Sequence, residues 1–317
     1  MPGTRNRAIL VTGSHRSGST WVGRMIATHP RVWYFSEPFN AETDLWCPIR
    51  HMWHHVTAWD EKPFEAYLRW PLTLRYPWWR EVRRNYRPAH VYRHTGRAVK
   101  YLLRRLLGFR PLLKDPTAIF SAEWLAARYP VDVVVLIRHP AAFAASLKRL
   151  NWHFPFTHLL VQPKLLETYL RPFEKEIRRV VGGSWDILDH AILAWRIFHH
   201  VIRHYQQNHP DWIFVRHEDL SRYPVEQFRE LFDRLGLEFM DTTRRTVEAH
   251  SAEENPTEAA GKEVHQLRRN SKSSIASWRH RLRPHEVARI RGETEDIARF
   301  FYSDADWHLA EDVRAAG

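Results

Sequence analysis

The chain has little cysteine and no long apolar segment, and each shortage excludes a class of protein. Cys47 is the single cysteine in 317 residues, so the chain can form neither an internal disulfide nor a cysteine cluster for zinc or iron–sulfur. No run approaches the roughly 18–20 apolar residues that a membrane span needs. The apolar stretch near the N-terminus is about five residues long and ends in a Gly/Ser turn, unlike a signal peptide. We therefore expect a reducing compartment and a cytoplasmic location.

Positive charge is what the chain has in excess. Its 48 Lys and Arg outnumber its 36 Asp and Glu, which gives a formal net charge of +12. This favours an anionic partner, whether phosphate, sulfate, acidic glycan, nucleic acid or a lipid surface, and the charge alone does not choose among them. Residues 75–110 hold ten Arg and one Lys against a single acid, Glu81. Aromatic residues are interleaved with these cations: Trp78, Trp79, Tyr86, Tyr92 and Tyr101.

Two interpretations of residues 75–110 are open. The stretch could bind nucleic acid through phosphate contacts and stacking. It could equally be a solvated helical face whose aromatic side chains turn inward.

Short apolar runs alternate along the chain with segments of helical spacing. Buried strands are predicted at 8–12, 111–114, 131–137 and 212–216. Helices are predicted at 20–28, 121–129, 141–149 and 225–235, and longer amphipathic ones at 165–181, 188–207 and 284–301. Such alternation indicates an α/β fold, a parallel sheet flanked by helices on both faces.

The length fits one large domain or two small ones, and 44% hydrophobic with 26% charged residues is the composition of a globular protein; we take residues 1–317 as a single domain. The stretch 40–110 interrupts the α/β rhythm and holds six of the fifteen Trp. We interpret it as a Trp/Arg-rich insertion on the acceptor side of the active face. The polar, aperiodic stretch 251–277 is predicted to be a surface loop.

The loop after the first strand carries the clearest chemical motif. Its sequence is Gly13-Ser14-His15-Arg16-Ser17-Gly18-Ser19-Thr20, with the spacing of a phosphate-cradling P-loop, so the sheet is predicted to be P-loop-like. A nucleotide triphosphatase needs Lys where this chain has Ser19, and the cation lies instead at Arg16. The alternative for this loop alone is a tight turn that needs small residues.

Four blocks of the sequence, in order, resemble the sulfotransferase superfamily, whose donor is 3′-phosphoadenosine 5′-phosphosulfate (PAPS) and which uses no metal. Arg16-Ser17-Gly18-Ser19-Thr20-Trp21 resembles its 5′-phosphosulfate loop. VVVLIRHP and the following helix, with Arg138 and Ser146, resemble its 3′-phosphate block. FVRHEDL, Pro224 and LFDRLGL are similar to a later signature. NSKSSIASWR resembles the late nucleotide loop, with Ser-Lys-Ser where the cytosolic branch has Arg-Lys-Gly.

The resemblance implies which residues bind the donor. Arg16, Ser17, Gly18, Ser19, Thr20 and Trp21 would hold the 5′-phosphosulfate, and Arg138, Ser146, Ser271, Lys272 and Ser274 the 3′-phosphate. Elementary geometry agrees for one pair, because an Arg at the carboxyl end of a parallel strand and a Ser on the next helix project into the same crevice. An Arg at the head of the first loop is typical of the carbohydrate and tyrosylprotein branches, so the chain is most similar to these, as a bacterial-type soluble enzyme.

The resemblance also implies catalytic roles for Glu37, Lys114 and Arg16. Glu37 follows Arg16 by 21 positions, where these branches carry a base that takes the proton from the acceptor hydroxyl. Glu37 could instead cap a helix or pair with a cation, and His15 and His153 are other possible bases. Lys114 lies in a Lys-Asp-Pro motif. A fixed cation at Lys114 or Arg16 would stabilise negative charge on the oxygen that bridges to the leaving phosphate.

The function that follows is transfer of a sulfuryl group from PAPS to a hydroxyl of a carbohydrate or glycolipid, leaving adenosine 3′,5′-bisphosphate, without a metal. The Trp-rich stretch suits a sugar, and the basic segment suits an anionic glycan, a lipid headgroup or peripheral contact with an acidic membrane surface. A small phenol is the alternative acceptor. One alternative is a P-loop kinase or NTPase, disfavoured by the missing loop Lys and by Arg138, which stands where an acidic Mg²⁺ ligand is expected. The other is a nucleic-acid or acidic-glycan binding protein, nucleic acid being the least expected partner.

Overall fold

Five short strands form one parallel sheet in the computed structural model of the chain. The structure describes residues 7–40, 48–84, 86–257, 268 and 270–308. The strands are β1 (Ala8–Gly13), β2 (Val32–Ser36), β3 (Arg110–Lys114), β4 (Val131–Ile137) and β5 (Ile213–Arg216). They are ordered β2-β3-β1-β4-β5, and every neighbouring pair is parallel. All six residues of the central strand β1 are buried. The predicted parallel sheet is confirmed.

Helices fill most of the remaining described residues. The α-helices are α1 (Ser19–Ile26), α2 (Glu61–Thr73), α3 (Trp78–Arg84), α4 (Pro88–Leu106), α5 (Ala122–Arg128), α6 (Pro140–Leu150), α7 (Thr157–Leu160), α8 (Pro163–Leu165), α9 (Glu174–Val181), α10 (Ile187–Asn208), α11 (His217–Arg222), α12 (Pro224–Arg234), α13 (Asp241–Ser251), α14 (Ser271–Ile275), α15 (Pro284–Ala298) and α16 (Asp304–His308). Shorter 3₁₀ turns lie at Pro116–Ser121, Arg171–Phe173 and Ser277–His280. No helix within these described ranges is long and apolar enough to cross a membrane.

The two faces of the sheet bury two separate apolar clusters. Side chains alternate along a strand, so Ile9 and Val11 of β1 pack in the cluster that includes α1 and α12. Leu10 faces the other way, into the larger cluster that includes α6 and α10. Both faces of the sheet are therefore covered, as the continuous apolar strands predict.

The predicted insertion at 40–110 forms most of the connection between β2 and β3. Helices α2, α3 and α4 lie in it, and Tyr101 of α4 packs against Trp33 and Phe35 of the edge strand β2. Residues 41–47, which include Cys47, are outside the described part. Whether the stretch serves the acceptor side stays a prediction.

One predicted helix is interrupted. Instead of a continuous helix over 165–181, the chain forms α8, a π-helical turn at Leu166–Leu170, a 3₁₀ turn at Arg171–Phe173 and then α9. Pro172 accounts for the break, because proline lacks an N–H donor and its ring clashes with the carbonyl four residues earlier.

The predicted surface loop at 251–277 is partly wrong. Residues 271–275 form α14, and Ser271 is buried, with its Oγ donating to the Ser221 carbonyl over 2.8 Å. The side chain of Asn270 caps this helix by accepting from the Ser273 amide over 3.0 Å. The Asn270 cap thus stabilises a short helix within this polar stretch, and the helix packs against α11.

Candidate active site

The carboxyl ends of the parallel strands open into a cleft of about 300 Å³. Each strand delivers its polar successor to this edge, which is where α/β sheets bind ligands. Predicted site residues that line the cleft are Arg16, Gly18, Ser19, Thr20, Trp21, Glu37, Arg138, Ser146, Ser271 and Ser274. The sheet therefore brings together residues that lie more than 250 positions apart.

Two glycines allow the first loop its path around the cleft. Gly13 has φ of 142°, and a Cβ there would lie 2.5 Å from the Leu136 carbonyl oxygen of β4. Gly18 has φ of 92°, and a Cβ there would lie 2.5 Å from His217 Nδ1. Both the left-handed backbone and the close approach require glycine. The loop then enters α1 at Ser19.

Three buried donors beside this loop have no hydrogen-bond partner in the described part of the chain. They are Ser14 Oγ, Ser17 Oγ and Trp21 Nε1. Buried polar atoms in folded proteins are normally paired, so unpaired donors at the start of a helix fit a ligand that brings several acceptor oxygens. A phosphate or phosphosulfate group has that chemistry.

Arg16 and Arg138 are joined in one hydrogen-bonded network. Arg16, with φ of 64°, donates from Nε to Ser146 Oγ over 3.0 Å. Arg138 donates from Nη1 to the carbonyl oxygen of Arg16. The Arg138 carbonyl in turn accepts from Trp195 Nε1 of α10 over 2.8 Å. The first loop, the end of β4 and helix α6 therefore hold two guanidinium groups at the same cleft.

Glu37 and Lys114 form an ion pair at the ends of β2 and β3. Lys114 Nζ donates to Glu37 Oε1, and the Glu37 amide donates to the Lys114 carbonyl over 2.8 Å. Burial raises the pKa of Glu37, but the hydrogen bond and charge of Lys114 outweigh it, so the net pKa lies below the usual value. Lys114 is only 1% exposed. The carboxylate is therefore ionised at neutral pH and able to accept a proton.

Asp115 fixes the position of this pair. Its Oδ1 accepts from the Thr117 amide over 2.9 Å, and its Oδ2 accepts from the Phe39 amide two residues after Glu37. Burial raises the pKa of Asp115 to about 6. The Lys-Asp-Pro motif indicated a role for its Lys and none for this Asp, although an Asp before a proline is typical of a turn-forming acceptor.

His15 lines the cleft beside Glu37 as a neutral imidazole. Its Nδ1 accepts from Trp53 Nε1 over 2.9 Å, which leaves the proton on Nε2. Burial chiefly lowers the pKa of His15 to about 4, with Glu37 opposing. His153, the other histidine considered as a base, is exposed, packs against His190 and is outside the cleft lining.

The late block places two of its three predicted residues in the cleft. Ser271 and Ser274 line it, whereas Lys272 is exposed, and its Nζ pairs with Glu253 over 3.3 Å. Helix geometry explains the difference. Residues three apart, such as Ser271 and Ser274, share a face of the helix, whereas Lys272, the residue after Ser271, points about 100° away from it. The structure thus does not bring the side chain of Lys272 to the cleft.

The cleft also has cations that sequence reasoning missed. Arg149 lies on α6 three positions after Ser146 and lines the cleft, a position that helical spacing could have indicated. Arg281 follows the 3₁₀ turn at Ser277–His280 and had no comparable signal. Among the described residues that line the cleft, Glu37 is the one acid. The cleft therefore suits a ligand with several negative charges.

The described residues contain no group of three His, Cys, Asp or Glu side chains that could hold a metal ion.

The chain is similar in sequence and fold to several known proteins. A family model described as Sulfotransferase family matches residues 8–241. Mouse (Mus musculus) carbohydrate sulfotransferase 4 is 24% identical over 333 aligned positions, covering 91% of this chain and 80% of that protein. Mouse carbohydrate sulfotransferase 5 is 22% identical, and the alignment covers 89% of this chain and 77% of that protein. The solved sulfotransferase domain from the curacin biosynthetic pathway aligns with a TM-score of 0.48 and 17% identity, over 90% of this chain and 96% of that one.

Proposed function

Because the chain belongs to the sulfotransferase family, we propose that its cleft binds PAPS and transfers the sulfuryl group to a carbohydrate hydroxyl. One observation carries the proposal: the Arg16–Ser146–Arg138 network lines a single cation-rich cleft together with Glu37, whose carboxylate is paired with the buried Lys114. The interpretation as a kinase or NTPase is not supported, because the first loop has Ser19 where those enzymes need a Lys.

In this proposal the first loop and two strand ends bind the donor. Arg16, Ser17, Ser19, Thr20 and the α1 amides hold the 5′-phosphosulfate through charge-assisted hydrogen bonds. A second group grips the 3′-phosphate: Arg138, Ser146, Ser271 and Ser274. Arg149 and Arg281 add positive charge beside them. These cations support a reaction without a divalent metal.

Glu37 takes the proton from the acceptor hydroxyl as the oxygen attacks sulfur, and the S–O bond to the phosphate breaks. The lowered pKa of Glu37 keeps it ionised, which supports Glu37 over His15 as the base. His15 is neutral and its Nδ1 is already occupied by Trp53, so its Nε2–H can only donate, for example to a sulfonate or acceptor oxygen. Its role is positioning.

Lys114 stabilises the charge that develops on the leaving oxygen. Its ammonium carries three N–H donors, of which Glu37 takes one. A cation fixed beside the leaving group stabilises the transition state more than the ground state, because the negative charge appears only as the S–O bond breaks.

A carbohydrate acceptor is supported by the two mouse relatives, whose names give that substrate class. Trp53 does not supply a sugar-stacking face, because it is fully buried against Phe154. Trp152, which is partly exposed and lies 5.4 Å from the His15 ring, is the better candidate.

The test combines donor binding with acceptor screening on the full chain. We expect adenosine 3′,5′-bisphosphate to raise the unfolding temperature in the presence of EDTA, and ATP with Mg²⁺ to raise it less. Labelled PAPS is then offered with neutral oligosaccharides, uronic-acid glycans, glycolipids and a simple phenol. Stabilisation by Mg-ATP alone, or turnover that chelation abolishes and Mg²⁺ restores, would contradict the proposal. Transfer to the phenol alone would contradict the carbohydrate assignment.

A further inference from the structure

Helix α4 turns an apolar face to solvent. We define its apolar stripe as Tyr92, Val99, Leu102, Leu103, Leu106 and the capping Leu107, all exposed. Leu106 is 73% and Tyr92 84% exposed, although an amphipathic helix on a protein surface normally turns such residues inward. The spacings of three, four and seven residues place these side chains along one side of the helix.

The opposite side of α4 attaches it to the protein. His94 is buried, and its Nδ1 shares a hydrogen bond with the Tyr76 hydroxyl. Tyr101 packs against Trp33 and Trp70. The aromatic residues of the basic segment therefore lie on both sides of α4. A solvated helical face was expected to turn all of them inward. The apolar stripe is left as a raised surface, held in place by contacts to the edge strand β2.

Cations flank the apolar stripe, and the surrounding stretch of sequence has no acid. Arg93, Arg97, Lys100 and Arg105 are exposed on α4. No acidic residue occurs between Glu81 and Asp115. The stripe therefore has a positively charged border along the length of the helix.

Exposed aromatic rings lie next to α4. Trp79 is 70% and Tyr86 83% exposed. The preceding helix α3 is tied to α4 by Trp78, whose Nε1 donates to Thr95 Oγ1 over 3.0 Å. Trp and Tyr rings with one apolar and one polar end are favoured at the boundary between lipid and water.

We propose that α4 docks this protein on an anionic lipid bilayer, with its apolar stripe in the headgroup region and its axis in the membrane plane. A helix of this length covers about 28 Å of membrane surface. Aliphatic side chains then leave water, while Arg and Lys on the flanks attract anionic headgroups. The proposal does not depend on which reaction the cleft catalyses.

Two other occupants fit the surface less well. In a two-fold dimer through α4, each copy would bring the same cations against those of its partner, and residues 82–114 hold no acid to compensate for them. A nucleic acid would use the cations but leave the Leu and Val side chains without a role.

The test is co-sedimentation of the full chain with vesicles. We expect binding to vesicles of equal phosphatidylglycerol and phosphatidylcholine, weak binding to phosphatidylcholine alone, and release as NaCl rises from about 0.1 M to about 0.5 M. Leu102→Glu with Leu106→Glu should lower the partition constant by about tenfold or more. The matched control, Val161→Glu with Val181→Glu, changes exposed apolar residues elsewhere and should bind as the parent does.

Circular dichroism and thermal unfolding test whether each variant is folded, so that a loss of binding in a folded variant reports on the surface. Arg93→Glu with Arg97→Glu supplies a second test, because reversed charge should weaken binding most at low salt. The proposal is overturned if the Leu102/Leu106 variant binds anionic vesicles like the parent. It is also overturned if those leucines instead break a dimer seen by sedimentation equilibrium, or if an RNA oligonucleotide binds and vesicles do not.

Discussion

Single residues at the cleft take their chemical state from neighbours distant in the sequence. Glu37 is held by Lys114, 77 positions later, and by Asn40, whose Nδ2 donates to Oε2 over 3.0 Å. Its backbone has φ of 51°, a left-handed conformation that costs energy for a residue other than glycine. A strained, ionised carboxylate paired with a buried cation is typical of a functional site rather than of a stabilising surface pair.

Glu37→Gln should lower the single-turnover rate by roughly 10²–10⁴ while adenosine 3′,5′-bisphosphate binds nearly as before. The amide keeps the size and one acceptor oxygen for Lys114 but cannot take a proton. Rapid-quench kinetics and calorimetry measure the two quantities. The control is Asn40→Ala, which removes a hydrogen bond to Glu37 but keeps the carboxylate, and which should have a much smaller effect. A Gln variant with a near-normal rate would redirect the search for the base to His15.

Arg16→Ala and Arg138→Ala should each weaken binding of adenosine 3′,5′-bisphosphate by about 1.5–3 kcal/mol, through loss of a charge-assisted contact. With adenosine 5′-monophosphate, which lacks the 3′-phosphate, Arg16→Ala should keep its effect. Arg138→Ala should lose most of its effect but retain some, because Arg138 also holds the Arg16 carbonyl. Calorimetry on both ligands distinguishes these contributions.

The control for this pair is Arg203→Ala. Arg203 lies on α10 over the Phe300 ring and is outside the cleft lining. Removing the Arg203 side chain should leave the affinities for adenosine 3′,5′-bisphosphate and for adenosine 5′-monophosphate unchanged. If Arg16→Ala and Arg138→Ala also leave them unchanged, the donor assignment is wrong.

At the scale of secondary-structure elements, the first loop and α10 together shape the site. The loop supplies unpaired donors, and α10 fixes the residue that follows β4 through Trp195. His199 stacks on Trp195 with 4.0 Å between ring centroids, and burial lowers the pKa of His199 to about 3. A neutral, buried helix face thus positions the Arg138 backbone.

Gly18→Ala should disrupt the loop. Its φ of 92° disfavours any Cβ, and the added methyl would lie 2.5 Å from His217 Nδ1. We expect a stability loss of about 1–3 kcal/mol and loss of stabilisation by adenosine 3′,5′-bisphosphate. Denaturant and thermal melts with and without the nucleotide measure both.

The matched control is Gly292→Ala, at an open position inside α15. Because alanine is favoured over glycine in helix interiors, this variant should gain about 0.5–1 kcal/mol. Nucleotide stabilisation of Gly18→Ala equal to that of the parent would show that the first loop does not hold the ligand.

At the scale of the whole molecule, buried neutral histidines link stability to pH. His139 is 2% exposed, and neither of its ring nitrogens has a partner among the described residues. The ring packs among Trp278, Tyr302 and Trp307, and burial lowers the pKa of His139 to about 3. Between that value and the unfolded pKa near 6.5, the unfolded chain binds more protons, so stability falls as the pH falls.

His139→Phe should flatten the acid side of the stability profile. Between pH 7.5 and pH 5, one such histidine removes about 2 kcal/mol of stability, and phenylalanine removes none. At pH 7.5 the aromatic packing is kept and two unpaired nitrogens are lost, so the variant should be as stable as the parent or more stable. Urea unfolding at both pH values measures this. A variant with an unchanged pH slope would show that His139 titrates normally in the folded protein.

Local sequence patterns predict the parallel sheet and four of its five strands, but they did not indicate β2. Apolar runs and small-residue loops are local patterns, and parallel strands deliver the residues after them to one edge. The resemblance to the sulfotransferase motifs implied that Arg16, Glu37, Arg138 and Ser146 belong to the site, and all four line the cleft.

The folded chain alone shows which charges share the cleft and which face of α4 is exposed. Lys272 points away and Arg281 points in because a short helix and a turn set their directions, which the polar composition of that stretch does not encode. Likewise α4 turns its leucines outward because Tyr101 and His94 find partners on the protein, so the apolar stripe is left to solvent. The direction in which a side chain points depends on contacts between segments that are distant in the sequence, and those contacts exist only in the folded chain.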